Sequence, residues 1–400
     1  MSQRKKLTAA YSAVQGGFWM TYCIASGFAV VYLQAMGYTN TELGMILAAG
    51  NILGSLLGTF LADRIDRNSR LVPGRVMWGV LLVQAALLAL LLPQKGGCAA
   101  VTAGYAAFLA VTLSANSIIL KISADLTYRG SPVNYGVARG TGSLAYMMVS
   151  ILLGILLERR SVRLLPLAGL IFTAGQFAAN AWMLRQTGAA PVARQSAGDG
   201  SGTTLGRFFR DNPRFTVFLL GSVLVFFAFN TVASFFINVV ENVGGTTATM
   251  GWLSAYMAGL EIPVMMGFFV LQRRWSPSAL LRFSFVMFVG KAILVALAKS
   301  VSFLYVAYLL QPLSYAVYNP AVVLYVEQVI PFRDSAKGQS LAFSTTTVGA
   351  VLANLISGML YDHLSVAATL WIAAAVCAVG AAVCIRTVER TPVCMPGITR

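Results

Sequence analysis

Acidic residues and histidine are scarce in this chain. Its 400 residues hold 13 aspartates and glutamates and a single histidine, His363. With one histidine and no CxxC pair, a metal centre has no ligand set to draw on. The five cysteines, Cys23, Cys98, Cys377, Cys384 and Cys394, lie mostly in or beside apolar runs and read as small buried hydrophobes, not as a disulfide framework. No GxxxxGK[ST] loop is present, which excludes nucleotide-driven pumping within this chain. Acid/base clusters of the kind a membrane enzyme needs are missing, as are the charged rings or filter of a channel. No cofactor is expected.

What the chain has is apolar length. Hydrophobic residues make up 58% and charged residues 10%, with a mean hydropathy of +0.74; soluble domains carry about 25% charged residues. So apolar a chain cannot cover itself with polar groups in water, and the lipid bilayer is its solvent. The net charge of +16 does not point to nucleic acid, because the basic residues sit in short gaps between apolar runs, not as a stripe on a polar domain. Arg4, Lys5 and Lys6 precede an apolar run too long for a signal peptide, so that run reads as the first membrane helix.

A spanning helix needs about 20 mostly apolar residues, and in lipid only helices and closed barrels satisfy their own backbone. Candidate spans fall near 9–34, 42–62, 73–93, 98–120, 136–157 and 164–184, then near 215–240, 247–271, 279–298, 302–327, 336–361 and 366–386. The expected fold is therefore an all-α integral membrane protein of twelve transmembrane helices in two pseudo-symmetric six-helix bundles. The divisions are 1–184, a polar linker 185–213 containing Ser196-Ala-Gly-Asp-Gly-Ser-Gly202, and 214–400.

Basic residues fix the orientation. Arg4, Lys5, Lys6, Arg64, Arg67, Arg70, Arg75, Lys121, Arg129, the linker arginines, Arg273, Arg274, Arg282, Arg333, Lys337, Arg386, Arg390 and Arg400 share one side; Lys95, Arg159, Arg160, Arg163 and Lys299 take the other. Both termini and the linker are expected in the cytoplasm, with the protein multi-pass in the cell membrane.

The halves echo each other. Ala138-Arg139-Gly140-Thr141-Gly142-Ser143-Leu144-Ala145-Tyr146 opens segment five, and Ala336-Lys337-Gly338-Gln339-Ser340-Leu341-Ala342-Phe343 opens segment eleven. Likewise Thr41-Glu42-Leu43-Gly44-Met45 in segment two is echoed by Thr249-Met250-Gly251-Trp252 in segment eight. Matching offsets at two places indicate a duplicated six-helix unit.

Between segments two and three, Leu61-Ala62-Asp63-Arg64-Ile65-Asp66-Arg67 resembles the cytoplasmic signature loop of the major facilitator superfamily, with Thr59 and Asp66 where that signature carries glycine. Gly44-Met45-Ile46-Leu47-Ala48-Ala49, Tyr135-Gly136-Val137-Ala138-Arg139-Gly140 and Lys337-Gly338-Gln339 resemble its lactose-permease-like branch of oligosaccharide and nucleoside proton symporters. That resemblance implies two parallel repeats around a midplane binding site, a small-molecule substrate, protons as coupling partner and no nucleic acid; the chain is expected to act as a monomer. It also implies that Arg139 recognises the solute. The carboxylate partner expected in segment four falls on Lys121, with Asp125 one turn later. Segment ten lacks the permease's His/Glu pair and has Ser314-Tyr315 and Val317-Tyr318-Asn319 instead, so that particular proton route is not implied.

Two charges stand deep in apolar runs. Counted from the turn Gln272–Pro277, Glu261 and Lys291 lie about 16 and about 21 Å along antiparallel neighbours. A charge at that depth costs about 3 kcal/mol or more unless it is paired or wet, so Glu261 and Lys291 are the candidate proton-coupling residues; a purely structural ion pair, or a neutral Glu261 bonded to backbone, is the alternative. Arg139 is either a clamp for anionic or hydroxylated solute or a snorkelling anchor. Tyr308, Gln311, Tyr315, Tyr318 and Asn319 follow a helical 3/4 spacing and would line a cavity from one face of segment ten, with Pro312 and Pro320 kinking it. Asn51, Asn116 and Asn230 are further candidate substrate ligands, each equally able to bond a neighbouring helix. Asp63, Arg64 and Arg67 read as a conformational-switch loop. The expected function is secondary active transport of a small organic solute (sugar-like, nucleoside-like or an aromatic acid) by proton symport; proton-driven efflux and a non-transporting receptor are the alternatives.

Overall fold

The computed structural model describes residues 3–68, 70–130, 133–187 and 204–390. Every regular element among them is a helix. Eleven helices are long and apolar enough to cross a bilayer, and the bent pair Arg4–Gly27 with Ala29–Ala35 passes the same test with a 47° break. Counting that pair once gives twelve spans. The others are Asn40–Arg67, Pro73–Leu91, Ala99–Thr127, Tyr135–Arg159, Val162–Thr187, Pro213–Ser234, Thr247–Arg274, Pro277–Leu297, Val301–Val329, Phe332–His363 and Val366–Thr387.

The ends of these helices follow local chemistry. Proline occupies the first turn at Pro73, Pro213 and Pro277, where its missing N–H leaves nothing unsatisfied. The hydroxyls of Ser276, Ser300 and Ser365 accept the orphan N–H groups of Ala279, Phe303 and Ala368. The first span breaks at a wide π turn, Cys23–Gly27, where the Phe28 N–H reaches back to the Cys23 carbonyl at 3.0 Å.

The duplication is visible in backbone geometry. Gly37 and Gly244, 207 residues apart, both take left-handed φ values, 90° and 80°, just before the second and eighth spans. Thr39 and Thr246 follow at the same offset. Thr39 forms a capping box with Glu42. In the repeat that glutamate is Thr249, and the missing carboxylate comes from Glu158 at the end of segment five: its Oε2 accepts from the Thr246 hydroxyl (2.8 Å) and the Ala248 N–H (2.9 Å).

By contact the chain divides into two compact units, Met1–Asp199 with Thr246–Ala258, and Gly200–Gly245 with Gly259–Arg400. The core of the first gathers Leu7, Tyr11, Phe18, Met77, Ile118 and Ile119. Lipid supplies no hydrophobic drive between spans, so packing and buried polar bonds hold them. Gln84 shows this, donating to Thr173 (2.8 Å) and accepting from Thr112 (3.3 Å) across three helices. The second core is aromatic: Phe218, Phe226, Phe285, Phe288, Tyr318 and Tyr325. Most of the expected linker 185–213 lies outside the described residues; its last part forms the short helix Leu205–Asp211, whose Phe208 is buried in that second core.

Candidate functional site

The second unit contains a three-residue polar relay. Glu261 stands near the middle of segment eight and is half-buried; Lys291 in segment nine is 7% exposed and Gln311 in segment ten 5%. The Lys291 ammonium donates to Gln311 Oε1 at 2.7 Å, and Gln311 Nε2 donates to Glu261 Oε1 at 2.8 Å. The chemistry sets the amide's direction. An ammonium can only donate, so it takes the oxygen, which leaves the NH2 for the carboxylate. The amide dipole therefore links a cation to an anion.

Aromatic faces also approach Lys291. Its Nζ lies 4.5 Å from the Phe229 ring centroid and 5.4 Å from that of Phe288. Such contacts contribute about 1–2 kcal/mol each when desolvated, a real offset to the cost of burying an ammonium. Tyr315 stacks on Phe229 with centroids 5.2 Å apart and planes at 5°.

Gln311 owes its position to an irregular helix. Pro312 has no N–H to continue the ladder, and residues Pro312–Ala316 form a π turn. The Ser314 hydroxyl turns back to the carbonyls of Leu310 (2.9 Å) and Gln311 (3.0 Å). The wide turn also resets the helical phase, which corrects the single polar face expected on segment ten. Tyr308 packs edge-on to Phe236. Tyr318 is fully buried among Phe226, Phe285 and Phe288, with its hydroxyl unpartnered. It packs as a residue of the second core.

The asparagines divide differently. Asn51, Asn230 and Asn319 are half-buried and spend their NH2 groups on carbonyls one turn back, those of Leu47 (2.8 Å), Phe226 (2.7 Å) and Tyr315 (3.1 Å). Asn116 is exposed.

In the first unit Arg139 sits in the first turns of segment five, half-buried. Its Nη1 donates to Ser143 at 2.8 Å, and its guanidinium lies 4.0 Å from the centroid of the Trp19 ring. Trp19 meets Tyr22 (5.2 Å) and Tyr146 (6.3 Å) edge-to-face. The segment-four residues named as partners for Arg139 are engaged elsewhere: Lys121 bonds Asp66, and Asp125 pairs with Arg129 at 2.8 Å. Trp19 and Phe229, the aromatic partners of the two cations, carry no sequence mark that separates them from other aromatics in apolar runs; Gly142, against which Trp19 packs, was the one available hint.

Asp63, Arg64 and Arg67 are not in a loop. The second span runs to Arg67, so they occupy its last turns, with Arg67 bonded to Asp63 at 2.8 Å and Arg64 over Phe60 at 5.2 Å. With Asn68 and Leu71 they line an open depression of about 560 Å³. Charged residues there can continue the helix past the hydrocarbon, supported by an i,i+4 pair.

A family model described as "MFS_1 like family" matches residues 18–373. The chain belongs to that family. It is a major facilitator transporter, and not an enzyme. Solved structures agree in fold. A mutant of the nucleoside transporter NupG superposes with a TM-score of 0.81 at 14% identity, over 97% of this chain and 100% of that one. A bacterial homolog of the human lysosomal transporter Spinster gives 0.68 at 13% identity, over 97% and 94%. A putative sugar efflux transporter of Deinococcus radiodurans is 32% identical over 120 residues, which is 30% of this chain and 31% of that protein.

Proposed function

We propose that this transporter carries a hydroxyl-rich solute, sugar-like or nucleoside-like, by alternating access coupled to proton symport, with Glu261 as the coupling carboxylate. The observation that carries the reading is the Lys291–Gln311–Glu261 relay. A carboxylate in an apolar span is costly when ionised; the relay brings positive charge toward it and lowers that cost. Protonation removes the anion and weakens its hold on the Gln311 amide, so proton binding alters a contact that joins three helices. Arg139 supplies donors for solute hydroxyls or a carboxylate. Glu261 is also available as an acceptor, which would let one side chain sense both proton and solute. An aromatic acid would use Arg139 as its anion clamp and remains within the proposal. The NupG neighbour's name favours nucleosides and the Deinococcus relative's name favours sugars.

The protein is taken to work as a monomer in the cell membrane, with 1–184 and 214–400 as its transport halves. Residues 185–213 and both termini are placed in the cytoplasm on the charge pattern. A second reading, export by proton antiport, is favoured by the efflux relative. The deciding experiment is flux in proteoliposomes under an imposed pH gradient, with labelled uridine, lactose and benzoate. Symport moves solute toward the alkaline lumen along with protons; antiport moves it toward the acidic side. Accumulation that survives collapse of the gradient contradicts both.

A further inference from the structure

Arg139 is held by a residue on another helix. We infer that Trp19, in the first span, is a positioning residue for the Arg139 guanidinium, and that Gly142 is the notch that lets it act. This rests on the proposed role of Arg139 in solute recognition for its transport consequence, though not for its structural one.

Three observations combine. The guanidinium lies 4.0 Å from the indole centroid, while its Nη1 is tied to Ser143. The ring contact and the Ser143 bond together restrain the guanidinium, and its other N–H groups are the donors offered to solute. The indole, in turn, is seated against the backbone of segment five. A Cβ at position 142 would stand 2.4 Å from Trp19 Cδ1 and 3.0 Å from its Nε1, so any side chain there must displace the ring. Finally, the indole N–H is buried and has no partner. A buried donor left unpaired is unfavourable, so no hydrogen bond holds the ring; shape and the guanidinium do. Tyr22 and Tyr146 meet it edge-to-face. The order of dependence is Gly142, then Trp19, then Arg139. It explains the second glycine of Arg139-Gly-Thr-Gly142-Ser143; the second-half motif Lys337-Gly-Gln-Ser340 is one residue shorter before its matching serine and lacks that glycine.

The structural claim is tested without knowing the solute. In proteoliposomes, modification of Arg139 by phenylglyoxal is followed by peptide mass spectrometry. Trp19→Leu and Gly142→Ala should each raise the rate about fivefold, since both uncover the guanidinium, whereas Trp19→Phe keeps an aromatic face and should stay near wild type. Trp19→Phe doubles as the folding control because the lost N–H has no partner. An unchanged rate in Trp19→Leu overturns the inference, and so does an equal rise in Trp19→Phe.

Labelled uridine uptake then reads the consequence. Trp19→Leu should raise KM with little change in maximal rate, and the Trp19→Leu/Arg139→Ala double variant should match Arg139→Ala alone. Additive losses would mean that Trp19 acts independently of Arg139. A wild-type KM in Arg139→Ala would instead remove Arg139 from recognition and leave the labelling result standing.

Discussion

Each unit sets a cation against an aromatic ring, but the two cations are supported differently. Arg139 lies over Trp19 and bonds a serine hydroxyl. Lys291 lies over Phe229 and is linked through an amide to a carboxylate. A guanidinium stays charged at any physiological pH and presents a planar fork; it suits constant recognition of a solute. A carboxylate joined to an ammonium by a neutral amide can gain or lose its proton inside an existing network. On the proposed function, the first cluster binds solute and the second changes state.

If that division holds, variants in the two clusters should fail in different ways. Apart from Glu261→Gln, the largest effect is expected from Lys291→Leu, which removes the compensating charge and leaves Gln311 Oε1 without its donor. Gradient-driven uptake should fall about a hundredfold, ~2.7 kcal/mol. Lys291→Arg should not restore it, because a planar fork does not fit a site shaped for a point charge. Arg139→Ala should raise the uptake KM about tenfold or more while leaving the proton-to-solute ratio unchanged, measured by parallel solute and pH recordings; an altered ratio would dissolve the comparison. Phe229→Leu removes one ring from Lys291 and should lower thermal stability by about 1 kcal/mol, read by unfolding in detergent. Ser143→Ala should be mildest, about a twofold to fivefold rise in KM for the loss of one hydrogen bond to a charged group that keeps its aromatic partner. A Ser143→Ala effect as large as that of Arg139→Ala would place the serine itself on the solute.

The twelve spans were legible because an apolar run of membrane length has few other uses. The two deep charges were legible for the related reason that an ionisable residue in such a run is costly. Helix ends were harder to read: hydropathy falls at Asp63, yet the helix continues to Arg67, since nothing about leaving the hydrocarbon ends a helix. Segment ten misled for a local reason. The 3.6-residue period was carried straight through Pro312, and the π turn shifts the phase, so Gln311 joins the relay while Tyr318 turns into the aromatic core. Trp19 could not be singled out, because its significance lies in packing on Gly142 and Arg139, more than 100 residues away.

The most direct test of the coupling account is Glu261→Gln in proteoliposomes, comparing solute accumulation under a proton gradient with solute exchange at equal pH. Glutamine keeps the size and can still accept from Gln311, but it cannot titrate. The account predicts that accumulation is abolished while exchange continues near the wild-type rate. Accumulation at the wild-type level would remove Glu261 from the coupling mechanism.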